Sequence, residues 1–215
     1  MAAIIRVRVS PRQPDPAALQ RAVTVILSGG VVVAPTDTLY ALAADPSSEA
    51  AVARVFAIKG RAADQALPLI AADLDQVRRW FGDLPPMATR LAAAFWPGPL
   101  TMLMSAPPRV AGAVHAGTGK VGVRVPAHDV ARALCALCDR PLTATSANVS
   151  GMPATMSVDE VTTALGQRVD LVLDSGATAG GPPSTIIDVS GRGAEPKLIR
   201  AGVLPWDEIV ARARA

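Results

Sequence analysis

Apolar positions recur along this chain with two rhythms, a period of two in short runs and a period near 3.6 in longer ones, and their alternation predicts an α/β fold. Residues 4–9 (IIRVRV) alternate apolar side chains with arginine, the pattern of a half-exposed strand. A helix follows: Asp15 caps it, Pro16 opens it, Leu19, Ala22, Val23 and Ile26 form its inner face, and Gly29-Gly30 mark its end. The β-branched run from Val31 reads as a buried strand in which pairing stops at Pro35. Ser48 then caps a second helix, with Val52, Val55 and Phe56 on one face and Lys59-Gly60-Arg61 at its far end.

Further strands are predicted at residues 67–71, 100–105, 121–125, 141–145, 170–174, 184–189 and 197–200. Helices are predicted from Asp73 through Trp80, from Pro86 through Phe95, from Ala127 to Cys138, behind a Ser157/Glu160 capping box, and from Trp206 to the end. Residues 106–119, rich in Pro, Gly and Ala, read as a mobile surface loop. No linker or repeat interrupts the pattern, so residues 1–215 are expected to form one α/β domain around a mixed sheet.

Composition narrows the chemistry. Half of the 215 residues are hydrophobic and 18% are charged, which excludes a disordered chain. Aromatic residues make up only 3%, so the core must be built from Ala, Val, Leu and Ile. The formal charge of +3 suits anionic ligands without pointing to nucleic acid. Two cysteines, Cys135 and Cys138, and two histidines, His115 and His128, lack the spacing of a four-ligand zinc site, and the cysteines read as a buried, reduced pair. No metal-ligand set is predicted. The start MAAIIRVRVSP has neither the apolar run nor the cleavage site of a signal peptide, and no apolar stretch reaches the roughly 18 residues of a membrane span, so a cytoplasmic protein with no membrane association is expected.

Short polar side chains gather behind two strands. Thr36, Asp37, Thr38 and Tyr40 follow the Val31 strand, and Ser146-Ala147-Asn148-Val149-Ser150-Gly151 follows the 141–145 strand. Such positions, past the carboxyl ends of strands, are where α/β sheets collect ligands, although the second cluster also fits an ordinary Ser/Asn turn. Of the 21 basic residues only three are lysines, so Lys59 two residues before Arg61 suggests a point charge paired with a planar fork, both suited to phosphate. The same triplet also fits a helix terminus decorated with cations. Arg124, inside the strand VGVRVP, belongs either on a wet face or opposite an anion. Residues 117–122 carry the letters G-x-G-x-x-G, but they run into a strand instead of opening a helix, so a glycine-rich hairpin is expected there. With no G-x-S-x-G or H-E-x-x-H motif, hydroxyls plus Lys59, Arg61, Arg124 and Arg200 favour charge stabilisation on phosphoryl oxygens over hydrolysis by an activated serine.

Seven blocks, PTDTLYALAAD, KGR, FWPGPLTMLM, VGVRVPAH, TSANVSG, PSTIID and LIRAG, occur here in the order and at roughly the spacing of the YrdC/Sua5 family of L-threonylcarbamoyladenylate synthases, which the chain resembles over about residues 17–205. The resemblance is to the short YrdC-type form without the extra Sua5 domain. It implies a single YrdC-like domain, a twisted mixed β-sheet flanked by helices with a positively charged concave groove. It implies a reaction in which L-threonine, bicarbonate and ATP give threonylcarbamoyl-AMP and pyrophosphate, and a partner complex that moves the threonylcarbamoyl group onto certain tRNAs. By motif, Lys59 and Arg61 match the family's catalytic, ATP-associated KxR pair, Ser146 and Asn148 its SxN pair, and Arg200 its nucleotide-side arginine. Thr36, Arg124 and Ser184 match positions that hold L-threonine, and Mg2+ is implied alongside ATP. Ala62, Met152-Pro153-Ala154-Thr155 and Pro183 depart from the family pattern. Two other readings stand beside this one: an RNA-binding module, for tRNA or double-stranded RNA, that uses a basic groove without catalysis, and a carbamoyl transfer like that of hydrogenase-maturation domains.

Overall fold

The computed structural model describes residues 4–60, 62, 65–152, 156–191 and 195–214. The arginine-alternating run forms β1 (Ile5–Arg8). Asp15 caps α1 (Pro16–Leu27) by accepting from the Ala17 amide at 3.0 Å, and Leu19, Ala22, Val23 and Ile26 are buried. Pairing along this strand ends at Pro35, as expected. That residue ends β2 (Val32–Pro35), which folds straight back into β3 (Tyr40–Ala43), with Val32 opposite Ala43 and Pro35 opposite Tyr40. The turn is made by Thr36, whose hydroxyl donates to Leu39 O at 2.7 Å and accepts from the amides of Thr38 and Leu39. Tyr-Ala-Leu-Ala has no β-branched residue, so its strand character is conferred by its neighbours.

α2 (Glu49–Lys59) starts at Ser48, which accepts from the Ala51 amide, and stops at Gly60, whose φ of 58° is the left-handed conformation that ends many helices. The chain continues through β4 (Leu69–Ile70), α3 (Leu74–Phe81), α4 (Pro86–Phe95), β5 (Leu100–Ser105) and β6 (Lys120–Arg124). Then come α5 (Asp129–Leu137), β7 (Leu142–Thr143), β8 (Thr145–Ser146), α6 (Val158–Leu165), β9 (Leu171–Asp174), β10 (Thr185–Asp188), β11 (Lys197–Arg200) and α7 (Trp206–Arg214).

The strands form two mixed sheets where one was expected, in the orders β1-β9-β2-β3-β8 and β11-β10-β5-β6-β4-β7. A single residue separates them in the 142–146 segment. Thr143 pairs with Leu69 in the second sheet, while Thr145 pairs with Leu42 in the first. The fully buried Thr143 hydroxyl stitches the crossing point, donating to Leu42 O and accepting from the Ala44 amide, both at 3.0 Å. Alternation along β2 feeds two cores. Val33 joins Leu42, Met102, Val123 and Ile187 in a core that unites both sheets, and Val32 and Ala34 join Leu19, Ile26, Leu134 and Cys135 under α1 and α5. Cys135 and Cys138 are buried free thiols.

The 106–119 segment is not the surface loop its composition suggests. Val110, Ala111 and Val114 are buried, the Leu67 amide donates to Val114 O at 2.8 Å, and the Ala111 amide donates to Pro46 O at 2.8 Å. Small apolar side chains let this backbone sit against the core. Residues 117–122 lead into β6, antiparallel to β5, as a glycine-rich hairpin.

Candidate active site

Burial of Val52, Val55 and Phe56 sets the rotation of α2, and that rotation sends Lys59 inward. Lys59 is 3% exposed, which a cation merely decorating a helix end would not be. Its ammonium donates to Ser146 O at 2.7 Å, to Asn148 O at 3.0 Å and to Asn148 Oδ1 at 3.2 Å. The Ser146 hydroxyl donates to Asn148 Oδ1 at 2.5 Å, and Asn148 Nδ2 donates to Met152 O. The Ser150 amide returns to Lys59 O at 2.9 Å. The loop behind β8 is therefore wrapped around the end of α2, and the side chains of Ser146, Asn148 and Lys59 line a cavity of about 520 Å3. Arg61 lies outside the described residues.

A second cavity, also about 520 Å3, adjoins the first, with Gln65, Thr145 and Ser146 lining both. Thr36, Arg124, Ser184 and Arg200 line this second part, so the sequence-predicted residues other than Arg61, from the first fifth of the chain to its last tenth, face one continuous cleft. Ser184 Oγ lies 2.9 Å from Thr101 Oγ1, and Arg200 Nη2 donates to Ser184 O at 2.8 Å. Arg200 thus stands beside Ser184, across the cleft from the lysine end. Its pKa is lowered, first by burial and then by the positive charge of Arg124.

Two expectations change at this end. Arg124 already faces an anion, but an internal one: Nη1 donates to Asp37 Oδ1 at 2.9 Å and Oδ2 at 3.0 Å. Tyr40 lines the cleft, yet its hydroxyl is committed elsewhere, donating to Gly176 O at 2.6 Å and accepting from the Ser175 amide at 3.1 Å. Thr38, from the first polar cluster, also lines the cleft, whereas sequence reasoning missed Gln65, Thr101 and Gly122. Gly122 could have been singled out only with the strand pairing known, since a Cβ there would meet Thr101 Cγ2 at 3.0 Å and Leu103 Cδ2 at 3.3 Å. Among the described residues no group of three or more His, Cys, Asp or Glu could hold a metal ion, and Asp37 is spent on Arg124.

Strand-end hydroxyls facing a buried lysine and two guanidiniums across one cleft define an α/β protein suited to small molecules that carry phosphate and carboxylate groups. The chain belongs to the Sua5/YciO/YrdC family: the family model, described as "Telomere recombination", matches residues 24–202. It is 39% identical over 184 residues to the threonylcarbamoyl-AMP synthase of Pyrococcus abyssi, covering 86% of this chain and 54% of that protein. It is 39% identical over 163 residues to the threonylcarbamoyl-AMP synthase of Halorhodospira halophila, covering 76% of this chain and 85% of that one. The structure of P. abyssi Sua5 complexed with L-threonine superposes with a TM-score of 0.88 at 36% identity, over 98% of this chain and 61% of that chain. The chain thus spans about half the length of its P. abyssi relative. No described helix is long and apolar enough to cross a membrane.

Proposed function

We propose that this chain is a threonylcarbamoyl-AMP synthase. The observation that carries the reading is the continuity of the cleft: the Lys59–Ser146–Asn148 end joins the Arg124–Ser184–Arg200 end through Gln65, Thr145 and Ser146, so a triphosphate and an amino acid can lie in contact. L-Threonine and bicarbonate condense, with loss of water, to a carbamate. A carbamate oxygen attacks the α-phosphorus of ATP; the new P–O bond forms as the bond to the β-phosphate oxygen breaks, and pyrophosphate leaves with its electron pair.

In this reading Lys59 and Arg61 offset the negative charge of the phosphates, while Ser146 and Asn148 orient them. Because Lys59 is held by oxygen acceptors of Ser146 and Asn148 before any ligand arrives, it is preorganised and needs little rearrangement as charge shifts to the leaving group. Thr36, Arg124 and Ser184 hold L-threonine, the arginine through its carboxylate. Arg200, which donates to Ser184 O, is assigned to the nucleotide by motif. Mg2+ would enter with the nucleotide and would supply charge neutralisation on the leaving pyrophosphate. The reading also takes residues 1–215 as one cytoplasmic domain whose product passes to a threonylcarbamoyl transferase complex acting on tRNA.

The test is pyrophosphate release from ATP by the whole chain. Release that requires both L-threonine and bicarbonate is expected. Release indifferent to the amino acid, or none, would refute the reading.

A further inference from the structure

Arg124 closes β6 with its guanidinium lining the amino-acid end of the cleft and its side chain only 10% exposed. One nitrogen, Nη1, is occupied by both oxygens of Asp37. Asp37 is itself 14% exposed, and its Oδ2 also accepts from the Ala127 amide at 3.3 Å, just ahead of α5. The backbone beside it is clamped by the Thr36 hydroxyl, which bonds Leu39 O and the Thr38 and Leu39 amides. The carboxylate is therefore not free to swing, and it fixes the plane of the guanidinium. Among the described residues Nη2 has no acceptor, so that edge of the fork is left for a ligand.

Charge points the same way. Arg200 lines this end of the cleft as well, close enough to Arg124 for the two positive charges to interact. Two guanidiniums against one carboxylate leave a single positive charge in excess, which one α-carboxylate neutralises. Without Asp37 the excess would be two, a charge better matched to phosphate or pyrophosphate.

We propose that Asp37 is a positioning residue for the amino-acid substrate: by holding Nη1 it presents the other edge of Arg124 to an α-carboxylate, and by its charge it keeps that end of the cleft selective for a monocarboxylate over polyanions. This rests on the synthase reading above.

Initial rates of pyrophosphate release test it in the whole chain, with L-threonine varied at saturating ATP and bicarbonate. Asp37→Asn is expected to raise KM for threonine about tenfold or more while kcat stays within about threefold and KM for ATP within about twofold. The same variant is expected to be inhibited by added pyrophosphate at lower concentration than the unsubstituted protein. Asp37→Glu keeps the ion pair, and so the fold if the asparagine variant does not fold; it displaces the guanidinium and is expected to raise KM for threonine by about threefold. An unchanged threonine KM in whichever variant folds, or a loss confined to kcat and melting temperature as a purely structural role would give, overturns the proposal, as does failure of both variants to fold. If the unsubstituted protein shows no threonine-dependent release, the synthase reading itself has failed, and the role of Asp37 falls with it.

Discussion

Replacing Lys59 with methionine keeps the side-chain length and the helix propensity of the last turn of α2 but deletes the ammonium. Its hydrogen bonds to Ser146 O, Asn148 O and Asn148 Oδ1, at 2.7, 3.0 and 3.2 Å, go with it, as does a longer one to Ser146 Oγ at 3.5 Å. Bonds to a charged donor contribute about 1.5–3 kcal/mol each, and acceptors left buried without a partner cost about 1–3 kcal/mol. Against this, the methionine variant no longer buries a charge, a relief of several kcal/mol. A net loss of about 2–4 kcal/mol is expected, which for a domain of this size lowers the melting temperature by about 4–16 °C. The catalytic effect should be larger, about 100-fold or more in pyrophosphate release, because removal of one preorganised charge-stabilising donor costs about 10²–10³ in rate. Thermal melts by circular dichroism and release assays on the folded fraction separate the two effects. A variant that melts within about 1 °C of the original and retains its turnover would refute the reasoning, since an ammonium free in solvent would behave that way.

Two further substitutions probe other parts of the molecule. At Gly202 a Cβ would lie 2.3 Å from Pro183 O and 2.5 Å from both Ser184 C and Thr185 N, all backbone, so Gly202→Ala must push Ser184 and Arg200 apart; a stability loss of about 1–3 kcal/mol and a raised KM for threonine are expected from melts and steady-state rates. Burial pushes the Cys138 thiol from 9.0 up to about 11, with Arg140 pulling it down and Asp45 pushing it up, and burial with the neighbouring Cys138 raises Cys135 as well. The folded chain favours the protonated thiols, so this contribution is complete below the ordinary thiol pKa and is lost as pH rises from about 9 toward 11. Melting temperature should fall over that window, and less steeply in a Cys135→Ala, Cys138→Ala variant; equal slopes would refute the assignment.

Local chemistry was readable wherever it is self-contained. Asp15 and Ser48 cap their helices, Gly60 ends α2, and the Ser157/Glu160 capping box forms, because each depends on residues a few positions apart. The KGR and SANVS motifs announced a site, but not that Lys59 is buried in the loop of Asn148, since that contact spans 89 positions of chain. β3 escaped notice because Tyr40-Ala41-Leu42-Ala43 becomes a strand only between β2 and β8. Residues 106–119 misled because small residues suit a loose loop and a tightly packed one equally well. Asp37 and Arg124, although 87 positions apart, neutralise each other, so neither could be read from its own surroundings.

The one-residue crossing at Ala144 has a mechanical consequence. With Thr143 registered to β4 and Thr145 to β3, the two cleft walls hang from adjacent links of a single taut thread, and Ser146 and Asn148 follow directly behind it. A tilt of either sheet must drag the loop that holds Ser146 and Asn148 along. On the proposed reading, opening the mouth for an amino acid and setting the grip on a nucleotide are thereby geared together by the backbone.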